Sequence, residues 1–193
     1  AADSGRVYFN DELLVGFQEY QIAEKGIGRK FQKPTVFERL SVCQNLILAG
    51  SQDKTLFGLF TAKLRPREKT RIDEVLLTIG LADCQHQSAG ILSHGQKQWL
   101  EIGMLLMMNP TLLLIDEPVA GMTHQEMDKT AELFETLAGM HSLMIVEHDM
   151  GFIRRIARTV TVLNQGQVLA EGTMDEVQAN PDVIQVYLGE ESC

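Results

Sequence analysis

Apolar and polar positions change character along the chain near residue 91. Upstream, turns interrupt the pattern. Ala1-Ala2-Asp3-Ser4-Gly5 reads as a turn and Arg6-Val7-Tyr8-Phe9 alternates like a strand. Residues 20–30 read as a second turn-rich passage, with Gly26 and Gly28, ending at Phe31-Gln32-Lys33-Pro34. Val36 to Ala49 predicts a helix, with Thr35 as its cap and Glu38 at the capping-box position. Leu56, Phe57, Leu59, Phe60 and Leu64 suggest a short helix within 50–66. Glu68 to Ile79 carries Ile72, Val75, Leu76 and Ile79 on one helical face, and Gly80 supplies the stop.

Downstream, helix and strand alternate. Ser93 opens a helix that runs to about Met108 and ends at Asn109-Pro110. Leu112 to Ile115 and Leu143 to Val146 are continuous apolar runs, the pattern of strands buried on both faces of a parallel sheet. Between them, Glu126 to Ala138 is helical on Met127, Ala131, Phe134 and Leu137. Phe152, Ile153 and Ile156 mark a short helix. Thr159–Leu163 and Gln167–Ala170 flank Asn164-Gln165-Gly166 as a hairpin, and Met174 to Ala179 is a short final helix. Strands separated by helices of this length give an α/β chain with βαβ units and a parallel core.

Composition narrows the classes. The 193 residues, 45% hydrophobic, suffice for one domain or one with a small appendage and exclude disorder. Seventeen Lys and Arg against 26 Asp and Glu give a net charge of −9, which argues against a nucleic-acid partner. The three cysteines, Cys43, Cys84 and Cys193, form no disulfide framework or CxxC pair, and a reducing compartment is the simplest reading. No stretch is apolar enough over its length to cross a bilayer, and no signal peptide is read at the start. The opening on a strand-entering turn without Met reads as cut from a longer chain.

Four stretches carry candidate chemistry. Leu112 to Pro118 is an apolar strand ending in Asp116 and Glu117, where the carboxyl ends of parallel strands line a ligand crevice. Asp116 suits Mg²⁺ and Glu117 suits a general base acting on water; the plain alternative is an exposed acidic turn. Glu147-His148-Asp149 ends the second apolar run, so His148 is either a contact for a terminal phosphate or a loop histidine. Ser93, His94, Gly95 and Gln96 open a helix, whose free N–H groups favour an anion; the alternative is an ordinary capped helix. Gln32 can meet a metal or water, though by itself its segment reads as a loop.

In this order the four stretches resemble the ATP-binding subunit of an ABC transporter. LSHGQ resembles the signature LSGGQ, LLLIDE resembles Walker B with its catalytic Glu, the Gln of KFQKP resembles the Q-loop, and VEHD resembles the switch-His loop. GIGRKFQKP, EPVAGMT, VEHDMGFI and EGTMDEVQANPDVIQVYLGE are most similar to importers of branched-chain amino acids and of urea and short amides, and LSHGQKQWLEIGMLLM favours the urea type.

The resemblance implies a P-loop NTPase-like core at 1–35 and 91–193, with a helical subdomain at 36–90. It implies ATP and Mg²⁺, with Asp116 and Gln32 toward the metal, and Glu117, His148 and Gln32 as the catalytic set: Glu117 as base, His148 at the transferring phosphoryl, and Gln32 sensing Mg²⁺ and water and passing closure to the membrane partner. Ser93, His94, Gly95 and Gln96 would bind the ATP of a second ATPase subunit, identical or homologous. It further implies membrane permease subunits docked on the Q-loop and helical subdomain, a solute-binding protein acting indirectly, and a place on the cytoplasmic face of the cell membrane. The competing classes are a soluble ABC ATPase of repair or translation and a non-catalytic fragment.

Three departures qualify this. GxxxxGK[ST] occurs nowhere, so the core is expected to be N-terminally truncated and the polypeptide as given inactive toward ATP. His94 replaces the usual Gly of the signature, and Thr123 stands where many members have the D-loop Asp.

Overall fold

The computed structural model describes residues 4–32, 35–51 and 65–188. The expected short helix around Leu56 to Leu64, and Lys33, Pro34 and Cys193, lie outside the described residues. Two compact units are formed, Ala1–Val146 and Glu147–Cys193.

The first unit opens with a hairpin, β1 (Tyr8–Phe9) and β2 (Glu12–Leu13). Asn10 and Asp11 turn it at φ 48° and 64°, the paired left-handed geometry of a two-residue hairpin loop. Residues 20–30 are not the turn-rich passage expected. They contain helix α1 (Glu19–Glu24) and strand β3 (Ile27–Lys30). β3 joins β4 (Leu112–Asp116) and β5 (Ser142–Val146) in a parallel sheet of order β3-β4-β5. The pairs Lys30↔Ile115 and Asp116↔Val146 set the register.

One face of this sheet is buried and the other is exposed along β5. Gly28, Lys30, Leu113 and Ile115 project to the buried face. Arg29, Met144 and Val146 share the opposite face with the buried Ile27; Met144 and Val146 are 63% and 62% exposed. β5 is therefore not the fully buried strand its apolar run predicted. The strand order explains the asymmetry. Both crossovers step the same way, and right-handed connections then place both sets of helices on the same face.

Those helices are α2 (Val42–Gly50), α3 (Pro66–Thr78) and α4 (His94–Met107) between β3 and β4, and α5 (His124–Leu137) between β4 and β5. α2 starts six residues later than Val36, the expected start. Its cap is Ser41, whose Oγ accepts from the Gln44 N–H at 3.1 Å, and not Thr35. α3 opens at Pro66 and ends before Gly80, at φ 68°. α2 and α3 close on α4 at Gly103, where a Cβ would sit 2.6 Å from Ile79 Cδ1 and 3.2 Å from Leu46 Cδ2. Val42, Leu46, Val75, Leu76, Leu100 and Ile102 are the buried apolar side chains of these three helices, among others. α4 and α5 are joined by the buried Trp99 Nε1, which donates to Thr130 Oγ1 at 2.9 Å.

The second unit holds α6 (Met150–Ile156), the hairpin β6 (Val160–Asn164) and β7 (Gln167–Gly172), then α7 (Met174–Gln178) and α8 (Pro181–Leu188). α7 is not the last helix, as the sequence suggested; α8 follows it. Val162, Val177 and Val183 form the small core of this unit. Among the described residues no helix is long and apolar enough to cross a membrane.

Candidate functional site

The parallel register brings two loop starts together. Because Lys30 pairs with Ile115, the chain leaving β3 emerges beside the chain leaving β4. Gln32 stands on the first, and Asp116 and Glu117 on the second. Gln32 Nε2 donates a hydrogen bond to Glu117 Oε2. Glu117 itself adopts a left-handed backbone at φ 43°, a conformation that costs a non-glycine residue about 1–3 kcal/mol. Its N–H donates to Val146 O at 2.9 Å, and Pro118 and Val119 behind it are buried. Strand pairing and packing thus hold this strained turn, with Asp116 half-buried at the strand end.

A second cluster forms where α4 begins. Ser93 is its cap: Ser93 Oγ accepts from the Gln96 N–H at 3.2 Å and the Ser93 N–H donates to Gln96 Oε1 at 2.9 Å. Ser93 Oγ also donates to Glu126 Oε1 at 2.9 Å. The space over Gly95 faces that carboxylate; a Cβ there would lie 2.6 Å from Glu126 Oε1. His94 Nε2 lies 3.2 Å from Ala120 O, so the start of α4 touches the loop that follows Glu117.

Sequence reading did not single out Glu126, although T-x-x-E at 123–126 is a capping-box signal. Its other oxygen accepts from the Thr123 N–H and Oγ1, both at 3.0 Å, so one carboxylate serves the starts of α4 and α5. The Thr123 backbone first, then the Ser93 and Thr123 hydroxyls and the His94 charge, hold its pKa below the usual carboxylate value against the opposing effect of burial.

His148 belongs to the second unit. Its side chain is 78% exposed, with Nδ1 3.7 Å from Glu147 Oε2. Asp149 Oδ1 caps α6 by accepting from the Phe152 N–H at 2.8 Å. Within the first unit, Gln32, Asp116 and Glu117 come together, and Ser93, His94, Gly95 and Gln96 form a separate cluster next to Ala120.

The donors at the β3 and β4 ends are oxygens, the Asp116 and Glu117 carboxylates and the Gln32 amide. Such a set suits a hard divalent cation. Among the described residues no three His, Cys, Asp or Glu could enclose a metal ion by themselves. A cation here would complete its shell with water and substrate oxygens, the mode usual for Mg²⁺.

Residues 1–120 match the sequence model of the ABC transporter family, and residues 167–192 match that of the branched-chain amino acid ATP-binding cassette transporter. The chain is 34% identical over 195 residues to the high-affinity branched-chain amino acid transport ATP-binding protein BraF of Pseudomonas aeruginosa, covering 96% of this chain and 76% of BraF. It is 35% identical over 197 residues to the corresponding LivG of Escherichia coli K12, with the same coverage. The crystal structure of the ADP conformation of an ATP-binding cassette of an ABC transporter superposes with TM-score 0.78 at 29% identity, covering 97% of this chain and 78% of that one.

Proposed function

The chain belongs to the ABC transporter family, as an ABC-type ATPase, and on that premise we propose that it is the energy-coupling subunit of an importer for branched-chain amino acids. The observation that supports the catalytic part is the contact of Gln32 with Glu117 at neighbouring strand ends. The solute class follows the names of the relatives. The urea and short-amide reading rests on LSHGQKQWLEIGMLLM and stands as the second possibility for the solute.

In this reading Glu117 accepts the proton of the attacking water. Gln32 fixes the orientation of the Glu117 carboxylate, leaving its own amide oxygen for water or metal. Asp116 would hold Mg²⁺, which when bound would supply charge neutralisation at the phosphates. Ser93 and Gly95 receive the γ-phosphate of an ATP carried by a second ATPase subunit, using N–H groups at the start of α4, with His94 and Gln96 beside them. Glu126 leaves Ser93 Oγ as that phosphate arrives. His148 stabilises charge on the transferring phosphoryl.

The region 36–90 acts as the helical subdomain and, with the Gln32 loop, receives the membrane permease subunits on the cytoplasmic face; a solute-binding protein acts through them. GxxxxGK[ST] is not among the 193 residues, and the 193-residue polypeptide by itself is proposed to be inactive toward ATP. The test is reconstitution of the complete ATPase with its permease in vesicles. Leucine uptake that requires ATP and is lost in Glu117→Gln supports the proposal. Uptake of urea but not leucine moves the assignment to the second solute class. ATP hydrolysis with no permease partner rejects the transport role.

A further inference from the structure

The loop that carries Gln32 returns to a single carboxylate on both sides. On one side is Lys30, the last residue of β3, which is fully buried with its Nζ 3.9 Å from Glu101 Oε2. The same ammonium donates to Phe31 O at 3.1 Å, fixing the backbone next to Gln32. On the other side is Thr35. Its N–H and Oγ1 both donate to Glu101 Oε1, at 3.1 Å and 2.7 Å. Glu101 is itself only 5% exposed and sits on α4, about two turns beyond its Ser93 cap.

Stability alone does not explain this arrangement. A buried Lys–Glu pair gains little over apolar side chains of the same volume, since both charges lose their water. Glu101 Oε2 also lacks a hydrogen bond among the described residues. Burial pushes the Glu101 carboxyl above its usual range, opposed by the Thr35 hydroxyl, the Lys30 charge and the Thr35 amide. A costly buried charge set between two flanks of one loop acts as a fixed point for that loop.

We propose that Glu101 is a positioning residue for Gln32: through Lys30 and Thr35 it fastens both flanks of the Gln32 loop to α4 and so sets the Gln32–Glu117 contact. Glu101 thereby ties Lys30 and Thr35 to the helix that Ser93 opens. The structural half of this inference stands on geometry; its kinetic half rests on the ATPase reading above.

Amide hydrogen exchange followed by NMR on the 193-residue chain tests the structural half. The double variant Lys30→Met/Glu101→Leu replaces both buried charges and strands neither. The Thr35 amide is expected to exchange at least tenfold faster in it, with the amides of Trp99 to Leu106 unchanged. Unchanged protection at Thr35 overturns the proposal. If α4 also loses protection, Thr35→Val decides: it keeps Lys30–Glu101 and removes only the Oγ1 donor, and the Gln32 side-chain amide resonances must shift. Unshifted resonances overturn it.

In the complete ATPase, Thr35→Val and the double variant are expected to lower kcat about tenfold with KM for ATP unchanged, and Thr35→Ser to restore it. A loosened Thr35 amide with unaltered kcat removes Glu101 from the positioning role. Absence of hydrolysis in the unmutated enzyme counts against the ATPase reading and leaves the exchange result to decide the geometry.

Discussion

Gln32 and Glu117, eighty-five positions apart in sequence, meet in one hydrogen bond, with the amide Nε2 donating to carboxylate Oε2. The bond orients Glu117, whose backbone is left-handed at φ 43°. An acid held in this way can take a proton only while it remains ionised, and Glu117→Gln removes that capacity while keeping the shape. In the complete ATPase, hydrolysis is expected to fall by about 10²–10⁴, the usual worth of a general base. ATP binding survives, so a nucleotide-bound dimer should accumulate on gel filtration. Hydrolysis within threefold of the unmutated enzyme would remove Glu117 from the role of base.

The helical layer gives a stability prediction. Gly103 is the point where α4 meets Ile79, Leu46 and Val75, at 2.6, 3.2 and 3.3 Å from a notional Cβ. Those neighbours are buried, so they have little room to withdraw. Gly103→Val adds three carbon atoms and a stiff χ1 to that contact. The expected loss is about 1–3 kcal/mol, the range for overpacked cores. Urea unfolding followed by circular dichroism reads it as a lower midpoint with an unchanged slope. A midpoint equal to that of the unmutated chain would mean that the three helices separate without strain.

Much of this was legible in the sequence, and the misses have physical causes. β4 and α4 were visible because Leu112–Ile115 is uninterrupted and Ser93 caps with Gln96 at the proper spacing. β3 was invisible because its inward positions are not apolar. Gly28 leaves room for Leu113, whose Cδ2 would be 3.0 Å from a Cβ, and Lys30 is buried against Glu101. No hydropathy pattern encodes a strand built from a glycine and a paired lysine. The start of α2 was misplaced for a related reason: Thr35 spends its hydroxyl on Glu101, leaving Ser41 to cap the helix. The Asp116–Glu117 pair could be read from its place after an apolar run, whereas the bond to Gln32 needed the register.

Glu126 gives a pH prediction. Its hydrogen bonds from Thr123 and Ser93, with the His94 charge, lower its folded-state pKa below the unfolded value. A group shifted in this direction stabilises the fold above the unfolded pKa, and the contribution is lost as pH falls through the folded pKa. Glu126→Gln should therefore melt below the unmutated chain at pH 7. The difference should shrink steadily below about pH 4.5, the ordinary carboxylate value. Thermal scans from pH 7 to pH 3 would show the two curves converging. A constant difference across that range would mean that the charge on Glu126 does not matter to the fold.

Nucleotide affinity supplies the last prediction. A triphosphate site draws most of its binding from N–H donors cradling the β-phosphate and from a lysine at the γ-phosphate, and the motif that supplies both is not among the 193 residues. What the first unit does offer is acidic at the end of β4, Asp116 and Glu117. Its start of α4 is already engaged by the Glu126 carboxylate through Ser93 Oγ at 2.9 Å. Three missing charge-assisted hydrogen bonds at ~1.5–3 kcal/mol each weaken binding by about 10³-fold or more. Calorimetric titration of the 193-residue chain with ATP and Mg²⁺ should accordingly show no saturable heat below about 1 mM ATP. Low-micromolar binding with one ATP per chain would show that strand-end oxygens and a helix start can hold the nucleotide without the cradle, and the proposed division of labour between the two ATPase subunits would then have to be abandoned.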